Sequence, residues 1–466
     1  MWHRRPACVC TGETPVLQGH TATDTRVIRV MHDLLRLLLL QDANTRVVLL
    51  GTALLGMCSG VIGSFAVLRG RALVGDAMAH AALPGICVAW FLVRDRSLPV
   101  FLLGALAFGI LGIVCISFVR AQTRIKEDAA IGVVLAGFFG LGIALSRIIQ
   151  NEPGGNRAGL DSYIFGRTAA MVRQDVWLIA AVAAVVLTVV ALLYKEFRAL
   201  CFDRQFAAAQ GWPVLRLDIL LMALLCMCTV IGLPAVGVVL MAALLIIPAA
   251  AARFWTERLG AMLLIAGLVG LLSCVAGASA SALAAKLPAG PLIVLAAGAC
   301  FGISMLLAPR RGVLAGVLRR RRMRATYAMQ NVLRALYECG ETAGDRCGLV
   351  SVERLLPLRA WPEPTLRRQL ARAASLGFVR REGSLFGLTS RGITEAVNVV
   401  RAHRLWETFL LAQPGAAPEH VHRDADEIEH ILPPHLIAEL EARLPAESRP
   451  PDVPPTSPHA LGEGAP

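Results

Sequence analysis

Residues 63–84 read GSFAVLRGRALVGDAMAHAALP, a stretch that sets Asp76 and His80 four residues apart in an otherwise apolar run. On a helix, positions i and i+4 share one face, so carboxylate and imidazole point the same way. On a soluble helix such a pair is most often a local cap beside a satisfied core histidine. At membrane depth the balance reverses. An ionisable side chain there costs about 2.5 kcal/mol or more and by default marks a substrate or ion path. His80 is the only histidine between residues 33 and 402, so a histidine-rich composition did not put it there. An oxygen and a ring nitrogen on one face make half of a site for a first-row divalent ion.

Working outward, long apolar runs dominate from Arg46 to Pro309, whereas the chain from Arg310 onward has the composition of a soluble module with a polar tail. Runs near the length of a bilayer crossing fall at 46–68, 72–93, 98–119, 129–149, 176–194, 216–233, 236–252, 261–285 and 290–308. That predicts about nine spans, with a tight turn at Gly232-Leu233-Pro234 between the sixth and seventh. The short run Val30–Leu40 suits an interfacial helix better than a span. Residues 1–25 lack a signal-peptide pattern. The basic residues Arg69, Arg71, Arg120, Arg124, Lys126, Lys195, Arg198, Arg204, Arg253 and Arg258 fall on alternate loops, as does the cluster Arg310, Arg311, Arg319–Arg322 and Arg324. By the positive-inside rule that side is the cytosol, and an odd number of spans delivers the C-terminal module there. The opposite loops carry arginines too, so the bias is moderate. The net charge of +13 comes largely from that cluster. The twelve cysteines are scattered, many in apolar runs where they act as small hydrophobes, and none has zinc-ribbon or redox spacing. No GxxxxGK[ST] phosphate loop occurs, so the chain is not expected to be an enzyme, and any ATP hydrolysis belongs to a partner.

The membrane half resembles the permease subunits of bacterial manganese/zinc/iron ABC importers. The stretches that carry the resemblance are VIGSFAVLRGRALVGDAMAHAALPGI (61–86), EDAAIGVVLAGFFGLGIAL (127–145), LDSYIFGR (160–167) and GLPAVGVVLMAALLIIPAAAARFWTERL (232–259). It implies a cytosolic ATPase dimer, a second permease subunit, an extracytoplasmic metal-binding protein and a place in the bacterial inner membrane. It also implies a metal path at Asp76 and His80, with Glu127 as a further group. The helix-prone loop 195–215 is where such importers dock their motor, which assigns Phe206, Ala208 and Gly211 to coupling. Mn2+, Fe2+ and Zn2+ all remain open as substrate.

The soluble half resembles the metal-dependent repressors of the diphtheria-toxin-repressor type. ATYAMQNVLRALYECGE (325–341) reads as an opening helix, and PTLRRQLARAASLGFVRREGSLFGLTSRG (364–392) as recognition helix, wing hairpin and turn. That assigns DNA contact to Thr365, Arg367, Arg368 and Arg372, although a winged helix equally serves as a protein-docking module. RAHRLWETFL (401–410) and EHVHRDADEIEHIL (419–432) place three imidazoles (His403, His422, His430) and three carboxylates (Glu407, Asp426, Glu429) at helical spacing. By resemblance His403, Glu407 and His422 form one metal site, and Asp426, Glu429 and His430 the other, with a divalent ion as co-repressor. Asn331 stands where relatives supply a ligand from the first helix. The expected architecture is therefore an all-α polytopic permease (46–309) after an N-terminal extension (1–45). A basic linker (310–325), a mostly α winged-helix DNA-binding domain (326–395), helical metal-binding and dimerisation segments (396–444) and a Pro-rich tail expected to be disordered (445–466) follow. Two readings result: an importer subunit whose tethered repressor binds operator DNA, or the same subunit with an in-place metal-sensing regulator that binds none.

Overall fold

The computed structural model describes residues 43–94, 98–151, 166–283, 287–345, 348–359, 361–411 and 434–443. The interfacial helix expected at Val30–Leu40 and the tail at 445–466 lie outside them. The chain divides into two compact units between Gly316 and Val317.

The first unit is helical throughout its described part. Its helices are α1 (Ala43–Leu68), α2 (Ala72–Val93), α3 (Leu98–Gln122), α4 (Glu127–Asn151), α5 (Arg173–Leu192), the short α6 (Tyr194–Phe202) and α7 (Arg204–Ala209), α8 (Val214–Val236), α9 (Val238–Trp255), α10 (Leu259–Leu283) and α11 (Ala289–Leu307). Among them eight are long and apolar enough to cross a bilayer. The ninth expected span, α9, is apolar but shorter, its continuous run covering Leu240–Trp255. The expected turn at Gly232-Leu233-Pro234 does not form, because α8 continues through Pro234 to Val236. The break falls at Gly237, whose φ of 86° is open to glycine without a steric penalty. Pro234 costs its helix one hydrogen bond without ending it.

Lipid tails are as apolar as leucine, so packing and small residues hold such a bundle together. At the α1–α10 crossing, a Cβ added to Gly56 would lie 2.4 Å from the Gly270 carbonyl oxygen, so any side chain would force the two backbones apart. The core runs through α1, α2 and α8, with Phe65, Ala77, Met78, Cys87 and Leu225 fully or almost fully buried. Arg69 and Arg71, expected as loop charges, are instead buried in the α1–α2 turn against Asp218 of α8.

The second unit opens within α12 (Val313–Thr342), followed by β1 (Val350–Ser351), α13 (Val352–Leu355), α14 (Glu363–Ser375), β2 (Val379–Glu382), β3 (Leu385–Leu388), α15 (Ser390–Leu411) and α16 (Pro434–Arg443). The basic segment 310–325, expected as a linker, is helical from Val313. It is rich in leucine, alanine and arginine, all strong helix formers, and has no glycine or proline after Gly316 to stop it. The antiparallel sheet has the order β1-β3-β2. β2 and β3 form the expected wing, turning at Gly383 with φ 65°. One apolar core, including Leu333, Leu336, Tyr337, Leu366, Leu370, Phe386 and Val400, unites helices and sheet.

Candidate functional site

Asp76 and His80 lie on α2, as their spacing requires. Around them Ala77, Met78, Ala79, Ala81 and Ala82 are fully buried, so most of the helix surface is spent on packing. The remaining face carries the two ionisable groups, whose side chains are 30% and 21% exposed. His80 Nε2 lies 3.5 Å from Asp76 Oδ1, beyond ordinary hydrogen-bond length. Two ligands each about 2.1 Å from one ion at a near-tetrahedral angle stand about 3.4 Å apart. The observed spacing therefore fits a shared cation with little rearrangement. On one side the imidazole meets Phe139 of α4 edge to face, ring centroids 4.7 Å apart, which fixes the plane of the ring. Phe139 had no assigned role in the sequence, although it lies within the stretch quoted for the permease resemblance. Glu127 is the first residue of α4, and its side chain lies outside what the structure describes.

At the α1–α2 turn the chain holds a buried charge cluster that sequence reading missed. Arg71 Nη1 donates to both oxygens of Asp218, at 2.8 and 3.0 Å. Arg69 Nη1 lies 3.0 Å from the same carboxylate. Burial lowers the pKa of Arg69, and Asp218 opposes that shift. The link spans 147 residues of sequence, so no local pattern could have revealed it.

The segment expected to meet the ATPase folds as two short helices, α6 and α7. Phe197 and Leu200 of α6 are buried, the former packing edge to face on Phe65 of α1 with centroids 5.7 Å apart. Asp203 caps α7, its Oδ1 accepting from the Phe206 N–H at 2.9 Å. Ala207 is buried and anchors α7, while Phe206, Ala208 and Gly211 are all exposed. Phe206 is 55% exposed.

In the second unit Leu366, Leu370 and Ala373 bury one stripe of α14, which leaves Thr365, Arg367, Arg368 and Arg372 exposed on the other. Arg367 is shared with Glu363 one turn away at 2.7 Å. The wing adds exposed Arg380 and Arg381, which the sequence reading did not single out.

The metal set expected in this unit is described only in part. His422, Asp426, Glu429 and His430 lie outside the described residues, as does the side chain of Glu407. Among the described residues no three histidine, cysteine or acidic side chains gather. His403, on α15, is 2% exposed, and its Nδ1 lies 2.9 Å from Arg334 Nη1 of α12. A guanidinium only donates, so that ring nitrogen is spent as an acceptor and does not fit a divalent ion in this arrangement. Asn331 is likewise engaged, its Oδ1 accepting from Arg359 Nη1 at 2.7 Å.

Comparison with known proteins agrees with both halves. Residues 41–308 match the model of the ABC 3 transport family, and residues 389–456 match "Iron dependent repressor, metal binding and dimerisation domain". The manganese transport system membrane protein MntC of Bacillus subtilis is 42% identical over 406 residues, covering 87% of this chain and 92% of its own. The zinc transport system membrane protein TroC of Treponema pallidum is 43% identical over 293 residues, 63% of this chain and 98% of its own. The solved structure of PsaBC from Streptococcus pneumoniae in complex with Fab is 30% identical with a TM-score of 0.53, covering 61% of this chain and 97% of that one. A bundle of apolar helices carrying an acid–imidazole pair thus coincides with the match over residues 41–308, the repressor match begins only at α15, and the chain belongs to the ABC 3 transport family.

Proposed function

We propose that this chain is a membrane subunit of an ATP-driven importer of divalent first-row metal ions. The observation that carries the reading is the Asp76–His80 pair, 3.5 Å apart on a helix otherwise committed to packing. One carboxylate and one imidazole hold a divalent ion long enough to replace part of its water, yet release it, as a path requires. The donor set suits Mn2+, Fe2+ and Zn2+ alike, and relatives bear the names of manganese and zinc transporters. The open face of α2 calls for a second membrane subunit, identical or related, to enclose the ion. An extracytoplasmic binding protein delivers the ion, and a cytosolic ATPase dimer meets Phe206, Ala208 and Gly211. The setting is a bacterial inner membrane with the second unit in the cytosol. Reconstitution with the ATPase tests this: uptake of manganese or zinc into vesicles must require ATP, and indifference to ATP rejects the reading.

The second unit is proposed to regulate uptake. Its exposed Thr365, Arg367, Arg368 and Arg372 support contact with operator DNA, with Asp426, Glu429 and His430 as the metal-responsive set. A second reading has a specific observation in its favour. Only residues 308–312 separate α11 from α12, a tether that suits regulation in place. Salt-sensitive operator binding by the purified full chain supports the first reading. No binding, with metal affinity intact, supports the second.

A further inference from the structure

The contact between Arg334 and His403 joins two groups of opposite expectation. His403 stands in the position expected of a metal ligand, and a cation is already there. Arg334 is 3% exposed, and His403 and Arg404 are each 2% exposed. A charge buried to that degree persists only when paired and hydrogen-bonded. The pairing is present. Arg334 Nε donates to Glu338 Oε1 at 2.6 Å, and Nη1 donates to His403 Nδ1 at 2.9 Å. One residue further along α15, Arg404 Nη1 donates to Glu341 Oε1 at 3.3 Å, with Nη2 on Oε2. Two arginines, one on each helix, therefore cross-tie α12 to α15 within the unit's core.

We infer that the Arg334 guanidinium serves at His403 as a built-in cation in place of a divalent ion. The consequences follow from hydrogen-bond chemistry. Because the guanidinium donates, Nδ1 accepts, and the ring proton resides on Nε2. A neutral imidazole in that state has no lone pair left for a metal. A divalent ion drawn to the same ring would also meet a fixed positive charge with little water between them, a repulsion that low dielectric makes severe. Asn331 gives the same message one turn earlier on α12. It presents an amide where a carboxylate would favour a metal, and Arg359 holds that amide. The pairing of α12 with α15 is thus independent of metal at His403, and any metal response of the unit resides in other side chains. This inference concerns the second unit alone and does not depend on the transport reading.

The test uses the full chain in detergent, stripped with EDTA and titrated with Mn2+. Wild type and His403→Ala should bind the same number of equivalents, whatever the membrane half contributes to both. Loss of one equivalent in His403→Ala would overturn the inference. Arg334→Glu replaces the cation with a carboxylate beside the imidazole and should gain one equivalent, lost again in Arg334→Glu with His403→Ala. Should Arg334→Glu fail to fold, the first comparison still decides.

Discussion

Phe139 illustrates how a single residue can shape the proposed metal path without supplying a ligand. Its ring meets His80 edge to face at 4.7 Å, a pairing worth about 0.5–1.5 kcal/mol. Phe139→Ala should therefore weaken the apparent affinity for Mn2+ in uptake by about 2–12-fold, since each 1.4 kcal/mol is tenfold. Saturation curves for the two proteins measure it, with maximal uptake largely retained. At this scale the sequence was legible where chemistry conflicts with surroundings. Asp76 and His80 stand out because ionisable groups in an apolar run need a reason. Phe139 and Asp218 were not legible, the first because an aromatic in a membrane helix is unremarked, the second because its partners are far away in sequence. Arg334 was hidden for another reason: a basic residue on an amphipathic helix reads as solvated until its burial is known.

At the scale of elements, the α1–α2 turn is fixed to α8 by three charges, with Arg69, Arg71 and Asp218 each mostly out of solvent. Replacing Asp218 removes the carboxylate that Arg69 and Arg71 share. Asp218→Ala should cost about 3–5 kcal/mol of stability, the usual penalty for breaking a buried pair. Thermal unfolding in detergent reads this as a large drop in midpoint. A second prediction concerns α7, which Asp203 caps and Ala207 anchors while Phe206 stays exposed. Phe206→Asp should abolish co-purification of the ATPase with no change in helical content by circular dichroism. Hydropathy located the helices because apolar length is a local property. It placed the break between α8 and α9 at Gly232-Leu233-Pro234 because proline and glycine both punctuate a chain. The actual choice, Gly237, depends on which position must adopt positive φ, and neighbouring helices decide that. The continuity of α12 was missed for a related reason, charge having been read as linker where helix propensity was high.

For the whole molecule, the composition shift read at Arg310 lies close to the division into two compact units between Gly316 and Val317. What that shift could not give was the Arg334–His403 contact, because it joins helices 69 residues apart. If the second unit engages DNA, Arg368→Ala and Arg372→Ala should each weaken operator binding and lower the salt slope by about one phosphate contact. Binding isotherms over a salt series measure that slope. Passage of divalent ions by Asp76 and His80 is the centre of the proposed transport mechanism. Its most direct test is ATP-driven uptake of radioactive manganese by proteoliposomes that contain the complete importer with either Asp76→Ala or His80→Ala. Loss of a direct ligand should lower uptake at least as much as the 10–100-fold typical of outer partners, with the ATPase still bound. Uptake at the wild-type rate in either variant would contradict the account.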